Sequence, residues 1–155
     1  MRKALLLLAV FGLVDSLWAA DLTVGTWKLN VAKSKFAPSS EAPIKELTLV
    51  KRELGTDQFE VTETGTRTDG SKISNKFTHP QKGGTVTNSA TPKGQMAVAT
   101  VIGPSELYET VLQNGKQVEV LHVVVSKDGK TMNITVKGTD AKGKPFEELN
   151  VFDKQ

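Results

Sequence analysis

The chain has 155 residues, no cysteine, 20 Lys+Arg against 17 Asp+Glu, and 38% hydrophobic and 6% aromatic residues. That length suits one domain and is short for two. Without cysteine there is no disulfide scaffold, Cys-ligated zinc site, iron–sulfur cluster, thiol nucleophile or lipoprotein thioether anchor.

The first residues read as an address. Met1-Arg2-Lys3 is a basic start, residues 4–14 are an apolar run, and Asp15-Ser16-Leu17-Trp18-Ala19-Ala20 ends in small residues before Asp21. This is the pattern of a secretory signal peptide. A bilayer span needs about 20 apolar residues, and Asp15 interrupts this run early. A cut after Ala20 leaves Trp18 at the third position before it, and a cut after Ala19 leaves Leu17 there. Asp21 is the favoured mature start, which makes residues 1–20 the signal and 21–155 a single domain.

The expected location is the periplasm or the extracellular space, with no membrane anchor after cleavage. Cleavage leaves 18 basic against 16 acidic residues, so the pI near 9 reflects a slight Lys surplus. Arg2, Arg52 and Arg67 are the only arginines, although Arg best fits phosphate and guanine. Nucleic acid is therefore not an expected partner.

No window after residue 20 sustains apolar residues at helical spacing for three turns, so helix is at most a minor element. Period-two alternation recurs instead, with turn residues every ~8–12 positions. Residues 24–31 form a first strand, and 32–43 a loop with room for one helical turn. Strands follow at 44–54 and 58–67, the latter ending at the tight-turn pair Asp69-Gly70, and then at 72–79. Residues 85–90 are polar and short and suit a sheet edge or a rim. Strands at 95–102, 106–113 and 117–126 follow, the last two joined through Asn114-Gly115. Asp128-Gly129 leads to 131–138, and 145–153 ends the series. Within 118–125 the second half of the run VEVLHVVV is apolar on both sides, which predicts burial on both faces or packing against the N-terminal region.

Short loops join neighbours, so the expected fold is an all-β antiparallel up-and-down meander of about 8–10 strands. Closure into a barrel would remove its exposed edges.

Catalytic signatures are absent. The histidines are His79 and His122 only, with no Gly-x-Ser-x-Gly elbow. His79 precedes Pro80 at a strand end and reads as an exposed loop residue. His122 shares a face with Val118, Val120 and Val124 and reads as a hydrogen-bonded core or pocket histidine. Two histidines make a poor zinc site. The carboxylate pairs Glu60/Glu63, Glu106/Glu109 and Glu147/Glu148 read as solvated faces; the last two neighbours must point to opposite sides of a strand. No enzyme activity, metal or cofactor is expected.

Gly25-Thr26-Trp27-Lys28-Leu29 on the first strand resembles the Gly-x-Trp opening of the lipocalins and fatty-acid-binding proteins, the calycin group. The resemblance implies a lipocalin-like barrel in which Trp27 plugs one end and Gly25 and Trp27 are structural. Lipocalins place a late basic residue across that Trp; Lys154 is the nearest late candidate. Fatty-acid-binding proteins carry an Arg-x-Tyr carboxylate clamp on the last strand, where this chain reads Asn150-Val151-Phe152-Asp153, and their helical lid has no room between the first two strands. The chain also looks like small exported bacterial proteins with similar Gly-Thr-Trp-Lys-Leu-Asn and Asp-Gly-Lys-Thr-Met stretches. That likeness implies a compartment and no activity.

The expected function is a monomeric, non-catalytic, secreted or periplasmic barrel for a small apolar or amphipathic ligand. Its expected lining is Phe59, Val61, Ile73, Phe77, Met96, Val98, Val120 and His122, with Tyr108 offering a hydroxyl. The alternative is an envelope or extracellular protein that binds a macromolecule through loops or the 85–90 edge.

Overall fold

The structure, a computed structural model, describes residues 20–38, 42–88, 91–140 and 142–155. The expected signal segment, apart from Ala20, lies outside the described residues, as do Ser89 and Ala90 at the end of the expected edge strand.

Ten strands follow one another: β1 (Gly25–Leu29), β2 (Ile44–Leu54), β3 (Gln58–Arg67), β4 (Lys72–Pro80), β5 (Gly84–Asn88), β6 (Gln95–Gly103), β7 (Glu106–Gln113), β8 (Lys116–Val125), β9 (Thr131–Thr139) and β10 (Pro145–Lys154). Each pairs antiparallel with its neighbour in sequence. The register Trp27↔Lys154, Lys28↔Asp153 and Leu29↔Phe152 joins β1 to β10 and closes the barrel. Turn chemistry sets the short connections. Between β7 and β8, Asn114 (φ 51) and Gly115 (φ 78) are both left-handed, the backbone that a two-residue hairpin turn requires.

Closure removes the edge alternative for the short polar strand. β5 is not an edge: it pairs with β4 through Phe77↔Asn88 and Thr78↔Thr87, and with β6 through Gly84↔Ala99, Thr85↔Val98 and Val86↔Ala97. An unpaired backbone row would be a template for another chain, and the ring of hydrogen bonds removes it.

Alternation divides every strand between an inner and an outer face. The inner apolar set at the closed end is Trp27, Leu29, Leu49, Val61, Leu107, Val123, Val125, Met132 and Phe152. Trp27 is fully buried, and its indole Nε1 donates to the Thr23 carbonyl at 2.9 Å. The Lys154 ammonium stands 4.9 Å from the centre of its ring, so the late basic partner is a lysine. Gly25 makes this stack possible. Its φ is +138°, and a Cβ there would stand 2.9 Å from Lys154 Cε.

Residues 20–24 cross the same end, with Leu22 N donating to the Pro104 carbonyl at 2.7 Å. After β1, the chain turns at residues 31–33 and lies beside β10 through the bridge Lys35↔Leu149. No helix occurs among the described residues. The run on β8 is buried on one side only: Glu119, Leu121, Val123 and Val125 face inward. The outer set Val118, Val120, His122 and Val124 is half-buried, which corrects the expectation of cover on both faces.

Candidate functional site

Two polar layers bracket the inner wall. At the closed end, Lys51 and His79 are each only 4% exposed. The Lys51 ammonium donates to Thr23 Oγ1 at 2.7 Å, pairs with Asp21 Oδ2 at 3.2 Å and lies 4.1 Å from the Phe59 ring centre. Burial lowers its pKa against the opposing pull of Asp21. His79 sits beside the Phe59 ring, with 5.5 Å between centroids, and its Nδ1 lies 3.0 Å from the Pro80 carbonyl. Burial first, and then the Lys51 charge, lower its pKa. The exposed-loop reading of His79 is therefore corrected: as the eighth residue of β4 it shares the inward parity of Phe77.

Above this layer is a small void of about 70 Å³ among Leu49, Val61, Phe77, Leu121, Val123 and Ile134. It adjoins a larger cavity of about 360 Å³ that opens between the far ends of the strands, and the two share Glu63, Phe77, Glu109 and Leu121 as walls. The side chains stop short of filling the barrel, as expected above eight strands. The wider space has the size of a small-ligand pocket.

Its apolar walls are Phe77, Val86, Pro92, Ala97, Val111 and Leu121, and its polar groups include Glu63, Glu109, Glu119, Asn75, Asn88 and Gln95. Among the described residues that line it there is no Lys, Arg or His. Asn75 Nδ2 donates to Glu63 Oε2 at 3.0 Å. On β10, Glu148 shares the inner face with Phe152 and accepts from the Ala37 backbone N–H at 3.1 Å. Burial, reinforced by Glu63 and Glu119, pushes the Glu109 carboxyl up to about 7. Glu119 is also pushed up, by burial and by Glu148.

Of the expected lining residues, Val61 and Phe77 face the inner space, and Phe59 stands at its closed end over Lys51. Ile73 has the inward parity at the β4 rim, opposite Gly65. Met96, Val98, Tyr108, Val120 and His122 fall on the outer wall, because Ala97, Ala99, Leu107, Glu109, Leu121 and Val123 take the inner positions of β6, β7 and β8. Met96 is 44% exposed. His122 stacks on Tyr108 with centroids 4.2 Å apart and rings 1° from parallel, and its Nε2 lies 2.8 Å from Glu106 Oε1. It belongs to neither core nor pocket.

The inward carboxylates are what the sequence reading missed. The sequence pattern puts Glu63, Glu109 and Glu148 on solvated faces, yet in the structure each shares its strand parity with apolar inner residues. The available signal was Glu109 between Leu107 and Val111, and Glu63 two residues from Val61. It was masked because β7 is also apolar on its outer face, at Tyr108 and Leu112.

The closed ten-strand meander, with a Gly-x-Trp first strand and a basic side chain over that Trp, is a barrel fold similar to that of the lipocalins and fatty-acid-binding proteins. The fluorescent protein UnaG has a similar fold: a point mutant superposes with a TM-score of 0.60 at 17% identity, covering 86% of this chain and 96% of that one. Wild-type UnaG gives 0.57 at 17% identity, covering 86% and 97%. At this identity the likeness establishes the fold. No family model matches the chain, and no curated protein matches it.

Proposed function

We propose that the protein is an exported, non-catalytic barrel that carries a small amphipathic ligand in its open half. The carrying observation is the space of about 360 Å³ above a tightly packed closed end, with apolar walls and a few convergent polar groups. The N-terminal signal pattern supports export, and the calycin fold is compatible with a carrier role. The interior also differs from a fatty-acid site, because carboxylates stand where a carboxylate clamp would need cations.

Native mass spectrometry of the protein after exposure to a total lipid and metabolite extract tests this reading. A one-to-one adduct of a few hundred daltons is expected, and it should disappear in Ala97→Trp, which fills the cavity from β6. Adduct formation unchanged in that variant, or no adduct from any extract, would remove the reading. Export is tested separately: full-length chain in a bacterial host should accumulate outside the cytoplasm with an intact mass that begins at Asp21 or Ala20.

A further inference from the structure

The carboxylates in the cavity give its ligand a sign. Glu109 on β7 and Glu119 on β8 are diagonal neighbours across one strand pair, since Glu109 is opposite Leu121 and Glu119 is opposite Val111. Diagonal neighbours lie about 7–8 Å apart at the backbone, close enough for long side chains to meet on one group. Among the described residues, neither carboxylate receives a hydrogen bond or an ion pair.

Other groups nearby add acceptors. Glu63 faces them from β3 and Glu148 from β10. Asn150, on the same face of β10, has a side-chain oxygen shut off from solvent and without a hydrogen-bond partner. The inward cation Lys51 is at the closed end and already held by Asp21 and Thr23. Burying carboxylates without partners is costly, and a bound cation would offset that cost. Among the described residues no three acidic or histidine side chains are grouped to hold a metal ion, so the arrangement suits a ligand that brings its own donors.

Resting on the binding reading above, we infer that the cavity selects a cationic amphiphile, a primary or secondary alkyl ammonium. Its N–H donors sit between Glu109 and Glu119, and its apolar body lies against Phe77, Val86, Ala97 and Val111. An anionic ligand of the same shape meets Glu63, Glu109 and Glu119, with no Lys, Arg or His among the described lining residues. Because Glu109 loses its proton only near pH 7, ammonium binding strengthens as pH rises through that value. Glu63 and Glu119 face Glu109, and Glu148 faces Glu119, while His79 and Lys51 sit deeper.

The test is calorimetric titration of the protein at pH 8 with decylamine, decanol and decanoate below their aggregation limits. Decylamine should bind at least tenfold tighter than either other probe, and its affinity should fall at least fivefold at pH 5.5. The double variant Glu109→Gln/Glu119→Gln should lose the tenfold preference for decylamine over decanol. Equal affinity for decanol and decylamine, tighter binding of decanoate, or a preference that survives in the double variant would overturn the inference and leave the binding reading intact. Failure of all three probes to bind would remove both. The pH series on the unmodified protein decides the question even if the double variant does not fold.

Discussion

Replacing Glu109 by Gln isolates the electrostatic cost of the acidic cavity. In the folded protein this carboxyl titrates at about 7, against 4.5 for an unperturbed glutamate. The folded chain therefore holds the proton more firmly than the unfolded chain does, and the group's contribution to stability is fully present below pH 4.5. It is lost as pH rises through 7. At about 1.4 kcal/mol per pH unit, the charged carboxylate opposes folding by up to about 3 kcal/mol above pH 7.5. Gln keeps the shape and removes the titration. Urea unfolding at pH 4 and pH 8 should show the variant within about 0.5 kcal/mol of the parent at the lower pH and more stable by about 2–3 kcal/mol at the higher. For a domain of this length that is about 10 °C in melting temperature. Parallel stability–pH curves for the two proteins, or a variant less stable at pH 8, would refute the placement of a partnerless carboxylate inside the barrel.

Other expectations follow from the closed end. Trp27→Ala should cost about 3–5 kcal/mol in urea unfolding, because it empties the best-buried site and frees the Lys154 ammonium; a loss below 1 kcal/mol would contradict the plug. Gly25→Ala should cost about 1–3 kcal/mol, since the positive φ and the approach of Lys154 both resist a Cβ, and the same unfolding curves measure it. His79 acts with the sign opposite to Glu109. Its pKa is lowered by burial, so its share of stability is present above the ordinary histidine range and is lost as pH falls. His79→Gln should flatten the decline in melting temperature between pH 7 and pH 5, and an unchanged decline would count against a neutral buried ring.

Alternation and turn chemistry made the strands legible. The expected segments 44–54, 58–67 and 106–113 coincide with β2, β3 and β7, and the remaining seven differ by a few residues at their ends. Trp27 and Lys154 were also readable as a pair, because the Gly-x-Trp opening asks for a late basic partner. Closure was weighed from the exposed edges that an open sheet would leave, and the β1–β10 register supplies it.

The choice of inner face was not legible on every strand, and the physical reason is specific. On β3 and β4 one parity is plainly apolar, and Val61 and Phe77 were assigned inward. On β6, β7 and β8 both parities carry apolar residues, as in Met96 and Val98 against Ala97 and Ala99, or Tyr108 against Leu107. Period two then states that two faces exist without stating which one is inside. The answer comes from register carried around the closed ring, from Leu29 opposite Phe152 to Val123 opposite Ile134. The sequence alone determined a β-meander with a plugged end and no recognisable catalytic set. Only the tertiary structure turned Tyr108 and His122 outward and placed Glu63, Glu109 and Glu119 around one cavity, because the sides of a strand acquire different environments only when the sheet closes.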